Sequence, residues 1–208
     1  MSDAVVQPAG FIYLASQSPR RAQLLDQLGV PHRLLVAPDD EDAEALEAER
    51  AGELPAAYVE RVTRAKLAAA RSRLSRSGWP IAPILVADTT VALGRRILGK
   101  PADAAHAQAM LCALAGRTHR VLTALAVSGG AGSARYALST SRVHFAPTGA
   151  DEIAAYVASG EPFGKAGAYA VQGRAAAWIT RIEGSYTGIM GLPLHETARL
   201  LRGAGVRF

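Results

Sequence analysis

The stretch FIYLASQSPRRAQLL, residues 11–25, places a short apolar run directly before the start of a helix. Its first five residues are continuously apolar, which is typical of a buried strand. Ser18 is suited to cap a helix whose first residue is Pro19, and the leucines that follow have helical spacing. Because free backbone N–H groups and the positive end of the helix dipole meet at such a junction, it predicts a phosphate-binding site.

Helix-like and strand-like segments alternate along the rest of the chain. We predict strands near residues 34–36, 84–87, 121–127, 136–145, 168–171 and 176–182, and helices near residues 55–74, 102–115, 151–158 and 194–201. Strands that alternate with helices early and pair as hairpins later favour an α/β fold, in which helices flank a mixed β-sheet. We expect residues 11–208 to form a single domain behind a flexible leader, residues 1–10.

The composition is that of an ordinary globular protein. Of 208 residues, 50% are hydrophobic and 20% are charged, and no apolar run approaches the roughly 20 residues that span a bilayer. The single cysteine, Cys112, allows no internal disulfide, so a cytoplasmic location is the default. A net charge of +5 suggests an anionic partner, but the arginines are scattered and aromatics are only 6%, unlike a nucleic-acid-binding patch.

Lysine is rare in this chain and falls where a compact charge has a use. Of 23 basic residues only three are lysines, Lys66, Lys100 and Lys165. Lys66 lies on the apolar face of the predicted helix 55–74, where a charge is costly unless it meets an anion. Lys100 lies between a glycine and a proline in a tight turn. The alternative is chance retention, with the Lys66 side chain reaching solvent past the apolar face.

Hydroxyl and guanidinium groups at the strand–helix junction strengthen the phosphate prediction. Ser16 and Ser18 add hydrogen-bond donors, and Arg20 and Arg21 can each hold two phosphate oxygens. The alternative is an ordinary helix start with two solvated arginines. Neither GxxxxGKS nor GxxxxGKT occurs in the sequence, so the junction is not a Walker loop.

Two carboxylates are candidates for binding a divalent cation. Asp88 follows a run of aliphatic residues at the predicted end of a strand, where α/β proteins keep their sites. Glu41, in the acidic segment 39–42, could supply the second carboxylate, and Mg²⁺ or Mn²⁺ prefers such ligands together with phosphate oxygens. A turn-forming aspartate and a solvated acidic run are the alternatives. No cysteine–histidine cluster offers a zinc site, and we interpret the dispersed histidines as structural: His32, His106, His119, His144 and His195.

Several blocks of the sequence together resemble the Maf (septum formation inhibitor) family. They are residues 14–21 (LASQSPRR), 87–89 (ADT), 99–101 (GKP), 110–121 (MLCALAGRTHRV), 159–162 (SGEP), 165–169 (KAGAY), 171–173 (VQG), 182–186 (IEGSY) and 191–193 (GLP). These blocks follow one another in order over nearly the whole chain. Each block alone is only suggestive, but the set is specific.

The resemblance implies an elongated α/β fold and a cytoplasmic, often dimeric nucleoside triphosphate pyrophosphatase that depends on a divalent metal cation. We therefore expect a small nucleotide as the partner, and neither a membrane nor a nucleic acid. One branch of the family prefers dTTP and UTP. Another prefers 7-methyl-GTP and carries Ser-Asp-Gln where this chain has Ala87-Asp88-Thr89. Together with Gln172-Gly173 and Gly184-Ser185-Tyr186, this predicts hydrolysis of dTTP and UTP to the monophosphate and pyrophosphate.

The resemblance also implies roles for individual residues. The specificity positions correspond to Arg20, Thr89 and Gln172, and the catalytic acid or base corresponds to Asp88. The positions for metal and phosphate correspond to Glu41, Lys66 and Lys100. The remaining residues of the predicted substrate site are Ser16, Ser18, Arg21 and Lys165.

Two departures from the family pattern leave questions open. Gly164 stands where the family often has an aspartate, so no acidic role transfers to the position before Lys165. The acidic segment 39–53 diverges, so a neighbouring acid could replace Glu41 as the metal ligand: Asp39, Asp40 or Asp42.

Three other functions also remain open from the sequence. One of them, a purine-selective pyrophosphatase, is disfavoured by Gln172 and Thr89. The same chemistry could act on 7-methyl-GTP or another modified nucleotide. A protein of a different class, a non-catalytic regulator of cell division, could bind nucleotide or nucleic acid through the basic surface.

Overall fold

A seven-stranded mixed sheet organises the part of the chain that the computed structural model describes, residues 10–38, 41, 44–129 and 133–208. The expected leader, apart from Gly10, lies outside these ranges, as do Asp39, Asp40 and Asp42. The strands are β1 Ile12–Leu14, β2 His32–Leu34, β3 Ile84–Leu93, β4 Arg96–Leu98, β5 Thr118–Ser128, β6 Ala134–Phe145 and β7 Ile179–Glu183.

The strand order combines a parallel part with an antiparallel part. It reads β2-β1-β3-β5-β6-β7, with β4 paired to β3. Strand β1 runs parallel to both β2 and β3, whereas all other pairs are antiparallel. The predicted α/β fold with a mixed sheet is confirmed.

Helices cover the sheet, and prolines begin two of them. They are α1 Pro19–Gln27, α2 Pro55–Ser77, α3 Ala104–Leu114, α4 Ala150–Ala158, α5 Tyr186–Ile189 and α6 Leu194–Gly203. Short 3₁₀ helices occupy Glu44–Glu47, Ala166–Ala168 and Arg174–Trp178. Pro19 and Pro55 begin their helices because the missing proline N–H costs nothing in the first turn. In the described ranges, no helix is long and apolar enough to cross a membrane.

Each face of β3 packs against different helices, because side chains alternate along a strand. Ile84 and Val86 pack with Leu67 of α2. Leu85 and Ala87 point to the opposite face, in the cluster formed with α1 and α6. Each fully buried aliphatic side chain stabilises the folded state by roughly 1.5–3 kcal/mol relative to an exposed one. Two residues beyond Val86, Asp88 is therefore on the face that α2 covers.

The sheet is interrupted beside the middle of β3. Strand β1 pairs with β3 only as far as Leu85, and β4 pairs with β3 only from Val91 onward. Among the described residues, segment 87–90 therefore pairs with β5 on one side and with no strand on the side of β1 and β4. Asp88 was predicted to lie at the end of a strand, and this is wrong, since β3 continues to Leu93. The strand that ends beside Asp88 is the three-residue β1.

Three of the predicted strands also need correction. The strand predicted near 34–36 lies at His32–Leu34, and the strand predicted at 176–182 begins only after the 3₁₀ helix Arg174–Trp178. Residues 168–171 form no strand but follow the 3₁₀ turn Ala166–Ala168. At the centre of that turn, Gly167 has a φ of 69°, and a Cβ there would lie 2.8 Å from Val91. This run is apolar because it packs into the core, and burial alone does not distinguish a strand from a turn.

An aromatic cluster beneath α3 and α4 holds the one histidine whose pKa departs strongly from its ordinary value. His119 Nε2 lies 2.8 Å from the Tyr169 hydroxyl, and the ring makes an edge contact with Phe145. Burial, and next the nearby His144, lower the pKa of His119 to about 4. The folded protein therefore keeps this ring neutral, in agreement with the structural role predicted for it.

This depressed pKa makes the stability of the fold depend on pH. Between pH 6.5 and pH 4 the unfolded chain binds a proton at His119 that the folded chain does not, so stability present above pH 6.5 is lost as the pH falls. We expect the free energy of unfolding to fall by about 3 kcal/mol more in the wild type than in His119→Gln between pH 7 and pH 4. Urea unfolding at both pH values measures this difference. Equal losses in the two proteins would contradict the shift.

Candidate active site

A cavity of about 780 Å³ opens at the interruption of the sheet. It is surrounded by four parts of the fold: the junction between β1 and α1, the middle of β3, the 3₁₀ helix Glu44–Glu47 and the buried face of α2. The structure brings every residue of the predicted site to this cavity. They are Ser16, Ser18, Arg20, Arg21, Glu41, Lys66, Asp88, Thr89, Lys100, Lys165 and Gln172.

A chain of four alternating charges crosses the floor of the cavity. Lys66 Nζ lies 2.6 Å from Asp88 Oδ1 and 2.7 Å from Glu47 Oε1. The other oxygen of Glu47 accepts from Lys100 Nζ at 3.0 Å. The sequence placed Lys66 on the apolar face of α2, and the charge is accommodated there because two carboxylates meet it.

Glu47 is the carboxylate that sequence reasoning missed. Burial alone would raise its pKa, but the charge and hydrogen bond of Lys66, and then of Lys100, outweigh burial and lower the pKa of Glu47. The backbone is fixed as well, since the Tyr58 hydroxyl donates to the Glu47 carbonyl at 2.9 Å. The acidic segment 39–53 offered many candidates, and nothing in its pattern indicated which acid a short 3₁₀ helix would turn toward Lys66.

Glu41, the predicted metal ligand, lines the same cavity but is engaged elsewhere. Arg73 of α2 donates to its two oxygens at 2.6 and 3.3 Å and also to the Leu35 carbonyl at 2.7 Å. The alternatives Asp39, Asp40 and Asp42 lie outside the described residues. The geometry therefore favours Glu47 over Glu41 as the carboxylate that acts together with Asp88.

The oxygen ligands present suit a hard divalent cation. Asp88 and Glu47 are held by one ammonium group, so their carboxylates face the same space. No group of three or more potential metal-binding side chains occurs within the described ranges. Mg²⁺ is commonly bound by one or two carboxylates together with phosphate oxygens and water, and two carboxylates match that requirement.

Arg21 is a partly buried cation of the same cavity. Its guanidinium donates to the Gly191 carbonyl at 2.8 Å, to Ser16 Oγ at 3.1 Å and to Thr89 Oγ1 at 3.4 Å. All of these partners are neutral.

Ser18 immediately precedes α1, as predicted, but its side chain makes no capping bond. The Ser18 hydroxyl therefore does not satisfy the N–H groups at the start of α1.

The hydroxyl of Thr89 belongs to a chain of hydrogen bonds with one direction. Thr123 Oγ1 donates its single proton to the Gly188 carbonyl at 2.8 Å. Thr89 Oγ1, 2.9 Å from Thr123 Oγ1, must then be the donor of that pair, while it accepts from Arg21. With its proton committed, Thr89 can meet a ligand only as a hydrogen-bond acceptor.

Three cations of the cavity are not matched by carboxylates. Among the described residues, none of Arg20, Arg21 and Lys165 has a carboxylate within 4.0 Å. Burial lowers the pKa of Arg21, against the opposing effect of Asp88. Burial, and next the charge of Arg20, also lower the pKa of Lys165. A wall of unneutralised cations that faces a carboxylate pair suits a polyanion that arrives with a metal ion.

Comparisons with known proteins identify the family of this chain. Residues 11–204 match the family model described as Maf-like protein. The chain is 65% identical over 199 residues to a dTTP/UTP pyrophosphatase of a Polaromonas species, with 96% of this chain and 98% of the relative covered. It is 63% identical over 210 residues to the dTTP/UTP pyrophosphatase of Burkholderia thailandensis, with both chains fully covered.

A solved structure with the same fold is a HAM1 protein from Coxiella burnetii. It has a TM-score of 0.50 and 18% identity, with 92% of this chain and 98% of that chain covered. At this identity the likeness concerns the fold alone. The family resemblance predicted from the sequence blocks is confirmed by the model match and by the two relatives, and this chain belongs to the Maf-like protein family.

Proposed function

We propose that this Maf-like protein hydrolyses dTTP and UTP to the monophosphate and pyrophosphate, with modified pyrimidine nucleotides as further candidate substrates. The observation that carries the proposal is the partly buried guanidinium of Arg21, which among the described residues hydrogen-bonds only to neutral groups and lines the same cavity as the Asp88–Lys66–Glu47 group. A partly buried cation without a carboxylate partner favours an anionic ligand. The relatives named dTTP/UTP pyrophosphatase, which match 96–100% of the chain, support the same substrate.

The cations of the cavity can accommodate a triphosphate from several sides. Arg21 at the start of α1 lines the cavity, and Arg20 and Lys165 supply further positive charge. Lys66 and Lys100 line the same cavity. Charge that builds on the phosphate oxygens in the transition state is stabilised most by such preorganised groups, because they need no rearrangement during the reaction.

The reaction is an in-line displacement at the α-phosphorus. A water oxygen forms a bond to that phosphorus while the bond to the oxygen that bridges the α- and β-phosphates breaks, and pyrophosphate leaves. Asp88 is placed to accept the proton of the water, and Lys66, 2.6 Å from Asp88, holds its carboxylate in position. The cations Arg20, Arg21 and Lys100 neutralise the leaving group.

The carboxylates Asp88 and Glu47 would hold the divalent cation, Mg²⁺ or Mn²⁺. The ion would supply charge neutralisation at the phosphates and a water of lowered pKa. In the structure Asp88 bonds to Lys66, and Glu47 bonds to both Lys66 and Lys100.

Selectivity for the base rests on the part of the cavity lined by Arg20, Thr89 and Gln172. The amide of Gln172 offers both a donor and an acceptor, and Thr89 offers an acceptor. Together these groups can match the alternating pattern on the edge of uracil or thymine. A cytoplasmic location and a homodimer, both implied by the family, are also part of this proposal.

A panel of nucleotides tests the proposed reaction. We expect dTTP and UTP to be hydrolysed faster than CTP, GTP and 7-methyl-GTP, with release of pyrophosphate and not of orthophosphate. Chelation of the metal should abolish turnover, and Mg²⁺ or Mn²⁺ should restore it. A preference for 7-methyl-GTP would place the chain in the other branch of the family. Nucleotide binding without any turnover would support a regulator instead.

The role of Asp88 is tested by Asp88→Asn. This variant keeps the shape of the side chain but cannot accept a proton, so turnover should fall by at least about 100-fold while substrate binding is largely kept. Single-turnover rates and nucleotide binding by calorimetry separate the two effects. Turnover like that of the wild type would rule out Asp88 as the base.

The choice between the two glutamates is tested by Glu47→Gln with Glu41→Gln as its matched control. The first change should lower turnover by about 100-fold and weaken Mn²⁺ binding, because it removes a charged oxygen ligand. The second should leave both within about threefold, since Glu41 is engaged by Arg73. The reverse order of effects would restore Glu41 as the metal ligand.

A further inference from the structure

The carboxylate of Glu161 accepts a backbone hydrogen bond from the loop that carries Gln172. We propose that Glu161 is a positioning residue that sets base selectivity by fixing this loop, an inference that rests on the proposed function. Gln172 is exposed and lies between the 3₁₀ helices Ala166–Ala168 and Arg174–Trp178. An exposed amide reads a base edge well only if its backbone is held in place.

Both oxygens of Glu161 are directed at the backbone next to Gln172. The N–H of Arg174 lies 3.1 Å from Oε1 and 3.3 Å from Oε2 of Glu161. The hydroxyl of Tyr156, on α4, donates to the same Oε1 at 2.9 Å. Through these bonds the carboxylate ties the loop to a residue of the hydrophobic core, because Tyr156 is 2% exposed.

The residue between Gln172 and Arg174 must be small for this contact to form. A Cβ on Gly173 would overlap with Glu161 Oε1. Since the φ of Gly173 is −100°, its backbone conformation alone does not require glycine. The requirement comes from the close approach of the carboxylate, which identifies the contact as a specific one.

The backbone of Glu161 holds a second residue of the cavity. Lys165 Nζ donates to the Glu161 carbonyl and lies 3.4 Å from the Phe163 carbonyl. Side chain and main chain of one residue therefore orient both Gln172 and Lys165. Glu161 itself does not line the cavity, so it acts through these two residues and not on the nucleotide.

The alternative is that Glu161 only stabilises the region around α4. A purely structural residue would lower activity on every nucleotide by the same factor, together with the melting temperature. A positioning residue would change the discrimination between bases. UTP and CTP are suitable probes, because their bases exchange hydrogen-bond donor and acceptor at positions 3 and 4 while their phosphates are identical.

The experiment compares Glu161→Ala, Glu161→Gln and Tyr156→Phe with the control Glu152→Ala. Glu152 lies on α4, as Tyr156 does, and accepts a hydrogen bond from Trp178. Trp178 is the last residue of the 3₁₀ helix that begins at Arg174. We expect Glu161→Ala to lower kcat/KM for UTP by at least about tenfold, mainly through KM, and to lower that for CTP far less. Glu161→Gln and Tyr156→Phe should show smaller losses in the same direction. The control should keep the UTP to CTP ratio of the wild type.

A second measurement does not depend on activity. Hydrogen exchange at the Arg174 amide should become at least about tenfold faster in Glu161→Ala and Glu161→Gln than in the control, because its acceptor is removed or weakened. An unchanged UTP to CTP ratio in a folded Glu161→Ala protein would overturn the inference and leave the proposed function standing. If the wild type itself shows no preference for UTP over CTP, the proposed function fails, and this inference fails with it.

Discussion

The Lys66 ammonium is the group on which the rest of the site depends. It is 19% exposed in its side chain and contacts two carboxylates from different parts of the chain, Asp88 on β3 and Glu47 on a 3₁₀ helix. Three largely buried charges stabilise one another as a set, because the loss of one partner leaves the charge of the others less well compensated. The arrangement therefore couples the position of α2 on the sheet to the position of the segment before it.

The sheet makes room for this group by what it leaves unpaired. Because β1 is three residues long and β4 pairs only with the far end of β3, the middle of β3 faces a cavity where another strand would otherwise run. The start of α1 approaches from the end of β1 and places Arg21 over the same opening. The proposed nucleotide site thus lies where the sheet is incomplete, without the glycine-rich loop that many phosphate-binding folds use.

Much of this arrangement could be predicted from the sequence, although not always for the right reason. The start of α1 and the position of Lys66 on the apolar face of α2 are local features, and both predictions are confirmed. Asp88 was chosen as a strand-terminal residue, but it lies in mid-strand, and the strand that ends there is its neighbour. Which strand ends first is a property of pairing, and periodicity does not report it.

The sequence did not predict the contact of Glu47 with Lys66 or the turn conformation at Ala166–Ala168. In a segment rich in acids, a short 3₁₀ helix and the hydrogen bond from Tyr58 determine that Glu47 contacts Lys66. Tyr58 is 11 residues from Glu47 along the chain, and Lys66 is 19 residues from it. The turn is apolar because it is buried, and its shape depends on the approach of Gly167 to Val91. Long-range packing decided both.

The scarcity of lysine has a practical consequence, because all three lysines of the chain line one cavity. Reagents that acylate amines have no other side-chain amine to attack, so their targets are these three lysines and a free amino terminus. Attachment to a solid support through side-chain amines would likewise fix the molecule by groups that line this cavity. In the proposed function a bound nucleotide would shield the three lysines, so labelling at these residues would report how fully the cavity is occupied.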